Sequence, residues 1–286
     1  MNYKSKETLG IIFAIIAYFS FSILDAIQKS AVLYYSIFQL LFIKYIFVLL
    51  LSILEARRTK NITFYRSNNL KLQIIRSLLS ILESGFFVLS FKYLSLANAH
   101  SIGALAPIII VVLSVFILNE KVSIKTWVAI FIGFIGVLIV IRPGSDVFSL
   151  KSFIPLIAAF FLGLYQIATK KMTEYDAPEV SLFYSSLVGI FITSIMTFFF
   201  WQPVNLKSLW FFLPIGIFFS LGIYLQILAL KNARASIIQP FHYTLIFWAI
   251  IFGFFFYEDI PDLFTILGAI IITTSGIFVI NQTSKR

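Results

Sequence analysis

The chain of 286 residues is 60% hydrophobic and only 12% charged, with 34 phenylalanines, which leaves too little polar surface to cover a soluble domain of this size. A net charge of +10 would suit nucleic acid in a soluble protein, but here the basic residues fall mainly between apolar runs, where they set orientation and meet anionic headgroups. Nucleic acid is therefore not an expected partner. Cysteine is absent, which excludes disulfides and thiolate chemistry, and two histidines, His100 and His242, are too few for a dedicated metal cage, so neither metal nor cofactor is expected.

A bilayer core needs about 20 apolar residues per helix. Runs of that length lie near 9–27, 34–54, 71–91, 98–118, 124–141, 152–169, 179–200, 208–230, 235–256 and 263–280, which predicts an all-α, polytopic membrane protein of ten transmembrane helices. The basic start before the first run is followed by no small-residue cleavage site, so that run reads as an uncleaved span. The longest polar connection, from Glu55 to Lys71, carries Arg57, Arg58, Lys60, Arg66 and Lys71, and the positive-inside rule places it in the cytoplasm. Ten spans then put both termini in the cytoplasm, with the chain in the cell's inner membrane. Of the 22 lysines and arginines, only Lys29, Lys92, Arg142, Lys151 and Lys207 fall outside, while Lys44 and Arg76 lie within spans.

In span one, Asp25 and Lys29 stand four apart near the outer end, the spacing of a mutual salt bridge or of an extracellular gate. Span two carries Lys44 and span three carries Arg76 and Glu83. At about 1.5 Å per residue, Arg76 is close enough to the cytoplasmic headgroups to snorkel, whereas Glu83 and Lys44 share a depth near the midplane. A buried Lys44–Glu83 pair is one expectation; a substrate or proton site using Glu83 is the other. Ser80 and Ser84 extend the polar stripe of span three, and Gly85 would let a helix or ligand approach closely.

Further along, span six offers Tyr165, span eight Tyr224, and span nine His242 behind Pro240, with Tyr243 and Trp248. Aromatic walls with one carboxylate suit an ammonium or sulfonium cation, and the proline frees a carbonyl to face a ligand or water. His242 is open to a packed, hydrogen-bonded role as well. An intramembrane enzyme acting on lipid would need a histidine beside a carboxylate at one membrane depth, and neither His100 nor His242 is expected to have one, so an enzyme is not expected. No G-x-x-x-x-G-K-[ST] motif occurs, so direct ATP drive would need another subunit.

A shift of 138 residues lays Ser95–Ser101 on Ala233–Gln239 and Phe116–Ser123 on Phe254–Pro261, with Glu120 on Glu258. The chain thus reads as two repeats, 1–145 and 146–286, of five helices each. Five is odd, so the second enters the membrane from the opposite side, a plan suited to alternating access. Glu83 falls on Leu221 in this register, so a site built on it is asymmetric.

On the NEKVS turn, the run from Trp127 to Gly144, and ALKNARAS with YEDIP in the second half, the chain resembles the EamA-type, ten-helix branch of the drug/metabolite transporter superfamily. The first half is also similar to the alphaproteobacterial S-adenosylmethionine carriers through DAIQK (Asp25 to Lys29), a basic residue at position 44 and Arg76; lysine where arginine is usual at 44, and the extra carboxylate at Glu83, depart from that pattern. The first resemblance implies a secondary transporter, not an enzyme, whose spans one, three, four, six, eight and nine surround the cavity, with Asp25, Glu83, Tyr165, Tyr224, His242 and Trp248 on those spans and Lys44 not. The expected cargo is a cationic or zwitterionic amine-like solute, with S-adenosylmethionine or an amino acid as the alternative. Protons, sodium or a counter-substrate would drive it, in a monomer or homodimer; a channel or structural subunit is the competing class.

Overall fold

The computed structural model describes residues 3–117, 124–142, 149–233 and 238–284. Among them the chain forms α1 (Tyr3–Ala31), α2 (Ile37–Arg58), α3 (Leu70–Phe91), α4 (Leu96–Gly103), α5 (Ala106–Ile117), α6 (Ile124–Ile141), α7 (Phe153–Met172), α8 (Pro178–Phe199), α9 (Leu209–Asn232), α10 (Thr244–Tyr257) and α11 (Leu263–Ser284). Short 3₁₀ turns at Leu150–Ser152, Leu206–Ser208 and Gln239–Tyr243 lead into α7, α9 and α10. Six of the helices (α1, α2, α3, α7 with its leading 3₁₀ turn, α8 and α9) are long and apolar enough to cross a membrane alone. The other four crossings are α4 with α5, α6, the last 3₁₀ turn with α10, and α11. The expected ten-helix, all-α architecture is therefore the observed one. The face that carries Tyr3, Ser284 and the 59–69 connection is the near face, and the opposite one the far face.

Spans four and nine are broken. Pro107 has no N–H to return to Gly103, the carbonyl four residues back, and the chain ends α4 at Gly103 before restarting at Ala106. In span nine the 3₁₀ turn carrying Pro240 gives way to α10 at Tyr243–Thr244. The 138-residue register lays Ala104 and Leu105 on His242 and Tyr243, so the two breaks coincide. The NEKVS turn with Glu120, and Arg234 to Ile237 of the second repeat motif, lie outside the described residues.

The heaviest packing joins the two halves: α1 with α9, α6 with α11, α2 with α8, and α3 with α7. Exchange of the halves maps α1–α9 onto α7–α3 and returns each of the other pairs to itself, as two inverted repeats require. Small residues set the closest approaches. A Cβ on Gly189 would lie 2.3 Å from the Tyr45 ring, and one on Gly268 would lie 2.8 Å from the Gly136 carbonyl at the α6–α11 crossing. Gly85 differs from expectation: a Cβ there would meet only Leu41, at an ordinary 3.7 Å.

The perimeter is apolar. Phe131, Phe198, Trp210 and Phe255 are exposed, an arrangement that would aggregate in water and that lipid covers. Polar residues turn inward or back on their own helices: Ser22, Ser77 and Thr193 donate to the carbonyls of Tyr18, Gln73 and Gly189.

Candidate functional site

Between the halves lies a cavity of about 70 Å³, enough for a few waters at roughly 10–15 Å³ each. Its wall is built by α1, α2, α3, α4, α7, α9 and the break of span nine. Helix α1 contributes Tyr18, Asp25 and Gln28 at spacings of seven and three, which place them on one face. Helix α3 contributes Ser80, Glu83, Ser84 and Phe87 by the same periodicity. The wall therefore joins apolar rings to a few convergent polar groups, the composition of a small-molecule site.

Lys44 is buried and reaches this cavity from α2, although the family resemblance had left span two off the wall. Its Nζ donates to Ser84 Oγ at 2.8 Å and stands 4.7 Å from the centre of the Phe219 ring. Glu83, next to Ser84, also lines the cavity, but the expected direct pair is not formed: among the described residues no ion pair or hydrogen bond joins Glu83 to Lys44 or to any other group. The two charges sit at similar depth, Lys44 seven residues into α2 and Glu83 eight residues short of the end of α3, each about 10–12 Å from the far end of its helix.

Asp25 and Lys29 do not bond each other. Asp25 accepts from Gln28 Nε2 at 3.0 Å and faces His100 Nε2 at 3.3 Å, while Lys29 crosses to Asp259 and covers the Tyr257 ring at 4.8 Å. The helix turns Asp25 toward α4 and Lys29 toward the α10–α11 connection, so i, i+4 spacing loses to tertiary partners. The pairing also corrects the expectation that His100 has no carboxylate neighbour, since Asp25 approaches it from a helix 75 residues away in sequence. His242 is buried on the wall with its ring edge-on to Tyr18 at 5.3 Å, and its Nδ1 is without a hydrogen bond among the described residues.

Arg76 does not snorkel. It is fully buried, and its Nη2 donates to the Ser181 carbonyl at 2.5 Å and to Ser185 Oγ at 2.7 Å. Its Nε donates to Gln73, whose Nε2 in turn donates to Asp176 at 2.8 Å. Arg76 thus ties α3 to α8 beneath the cavity, with its guanidinium carbon 5.8 Å from the centre of Tyr165, which is on the wall. Asp176 also accepts from Ser67 and from the Asn68 backbone, docking the 59–69 connection against the 173–177 turn.

Two expected residues stand away from the cavity. Tyr224 hydrogen-bonds Glu55 at 2.8 Å and Arg58 at 3.2 Å toward the near face. Trp248 packs on Phe19 and Phe252. Their helices line the site but turn these side chains elsewhere, whereas Phe219, Ile223 and Gln226 form the α9 face of the wall. Tyr18, Gln28 and His100 were missed as site residues; the seven-residue spacing from Tyr18 to Asp25 was the signal for the first, and none existed locally for His100.

The sequence matches the EamA-like transporter family over residues 8–142 and again over 151–282. It is 29% identical over 286 residues to an uncharacterized transporter of Helicobacter pylori, covering 96% of each chain. An S-adenosylmethionine uptake transporter of Rickettsia bellii is 25% identical over 229 residues, 78% of this chain and 79% of that one. A riboflavin transporter of Vibrio cholerae is 31% identical over 170 residues, 59% of this chain and 57% of that protein.

Proposed function

The chain belongs to the EamA-like transporter family, and from that premise we propose that it is a secondary active carrier that moves a small, amine-bearing organic solute through the central cavity by alternating access. The observation that carries the reading is the Glu83 carboxylate, without an ion pair or hydrogen bond among the described residues, on a wall shared by Tyr18, Phe87, Tyr165 and Phe219. A carboxylate amid aromatic faces favours an ammonium or sulfonium group, with cation–π attraction of about 2 kcal/mol when desolvated. The coinciding breaks of spans four and nine support the alternating mechanism, because discontinuous helices at the meeting of inverted repeats place polar groups at mid-depth and let the halves rock about the site.

The repeats run 1–145 and 146–286, and the 59–69 connection with its basic residues faces the cytoplasm of the inner membrane, as the positive-inside rule directs. S-adenosylmethionine exchange is the second reading. It is favoured by the Rickettsia bellii relative and by a sulfonium that Glu83 and the aromatic wall would accept.

Purified protein in proteoliposomes tests the carrier reading. Uptake of a labelled metabolite pool should saturate and be accelerated by unlabelled solute trapped inside, whereas flux that rises linearly without limit would identify a channel. S-adenosylmethionine is tested as a single labelled solute in the same vesicles.

A further inference from the structure

We propose that the outer groove between α6 and α11 binds one anionic phospholipid of the near leaflet, with an acyl chain in the groove and the phosphate on Lys125. The groove holds about 440 Å³, and none of its residues line the central cavity. Helix α6 supplies Ile124, Val128 and Ile132, which recur every fourth residue along one face, and α11 supplies Phe278. All four are exposed, so among the described residues nothing covers these apolar walls.

The floor offers no free hydroxyl proton. Ser275 donates to the Ala129 carbonyl, and Thr274 turns back to the carbonyls of Ile270 and Ile271 at 2.8 and 3.1 Å. A hydrocarbon chain loses nothing on such a surface, whereas a polar solute gives up its water there without return.

Lys125 supplies the sign of the head group. The Ala129–Ser275 contact sets the start of α6 beside the end of α11, which closes at Ser284 on the near face, so Lys125, the second residue of α6, lies at that face. It is exposed, lines the groove, and has no ion pair or hydrogen bond among the described residues. At about 1.5 Å per residue, Ile132 lies about 10 Å deeper along the helix, so the groove runs from headgroup level into the acyl region of one leaflet. A lysine above an apolar trough is the complement of a phosphodiester above its acyl chain.

The far end of the same helix pair is built differently. The 138-residue register lays Ile124 and Lys125 on Asp262 and Leu263. There Asp262 is ion-paired with Arg142, whose guanidinium carbon stands 4.7 Å from the centre of the Phe264 ring. The chain thus bridges α6 to α11, one helix from each half, with its own charges on the far face. On the near face the groove supplies one charge, and a lipid seated between Lys125 and Phe278 completes the bridge.

Native mass spectrometry of the purified protein tests this, with phosphatidylglycerol or phosphatidylcholine of identical acyl chains titrated in detergent. The first phosphatidylglycerol should bind about fivefold more tightly than the first phosphatidylcholine, the preference that one lysine at a membrane surface confers. Lys125→Gln should abolish that preference and leave phosphatidylcholine binding as it was, because the trough is intact. Val128→Trp, which fills the trough, should weaken the first binding event of both lipids. Lys231→Gln, at the near end of α9, is the control and should keep the preference. All three positions are exposed, and a monodisperse elution profile confirms that each variant is folded. Equal affinity of the parent for the two lipids overturns the proposal, as does a preference that survives Lys125→Gln or first-lipid binding unchanged in Val128→Trp. A preference that falls as far in Lys231→Gln as in Lys125→Gln would make it a property of the whole basic face and overturn the site. A change of oligomeric mass in Val128→Trp with lipid binding unchanged would assign the groove to a second copy of the chain instead.

Discussion

Lys29 of α1 and Asp259 of the α10–α11 connection form an ion pair across the far face, joining the first half of the chain to the second. Around it Ser30 meets Tyr257 Oη at 2.7 Å, and Tyr257 donates to the Ala26 carbonyl. An ion pair of this partial exposure contributes about 0.2–1 kcal/mol, enough to change the population of a far-open state by up to about fivefold. The chain has no cysteine, so a single Leu24→Cys on the cavity wall reports access. Asp259→Asn should raise its labelling rate by an impermeant maleimide from the far side about two- to fivefold. The exchanged pair Lys29→Asp with Asp259→Lys should return it toward the parent rate; unchanged labelling in Asp259→Asn would show that the contact does not hold the far side shut.

Arg76 tests a different link. Its two bonds from Nη2 to α8 are charge-assisted and fully buried, and such bonds contribute about 1.5–3 kcal/mol each. Arg76→Met should lower the apparent melting temperature in detergent markedly, and Ser185→Ala, which leaves the Ser181 carbonyl as acceptor, should lower it by less. Equal melting temperatures for Arg76→Met and the parent would mean that α3 and α8 are held by apolar packing alone.

Tyr224 and Trp248 give a prediction of the opposite sign. Because neither lines the cavity, Tyr224→Phe should leave the KM for the transported solute within about twofold, the range of a peripheral substitution. Tyr165→Ala, by contrast, should raise it. A KM shift in Tyr224→Phe as large as that in Tyr165→Ala would place Tyr224 at the substrate in another conformation.

Helix number and approximate ends were legible because hydropathy reports which residues meet lipid, and the shared depth of Lys44 and Glu83 followed from helical rise alone. Rotation about each helix axis was not legible. Span eight is apolar on every side, so nothing in its pattern told that Gln226 would face the cavity and Tyr224 the Glu55 carboxylate. For the same reason depth suggested that Arg76 would reach the headgroups, when Gln73, Ser181 and Ser185 already supplied acceptors in the bundle. The Asp25–His100 contact joins helices whose adjacency no local spacing encodes.

Glycine separates packing from propensity in the last prediction. Gly189 of α8 sits under the Tyr45 ring, where a Cβ would lie 2.3 Å from ring carbon. Tyr45 is wedged in turn against Phe219, with ring centres 5.7 Å apart, and stands next to Lys44 in α2. Gly189→Ala must push the ring and helix α2 aside, a small-to-large change that costs about 1–3 kcal/mol, and the movement carries Lys44 away from Ser84. Gly85 has room for a Cβ, and replacing a mid-helix glycine there gains up to about 1 kcal/mol of helix propensity. Gly189→Ala should therefore lower both the melting temperature and the uptake rate, while Gly85→Ala should hold or raise the first and spare the second. Should the two substitutions behave alike, the α2–α8 contact would not be what seats Lys44 at the cavity.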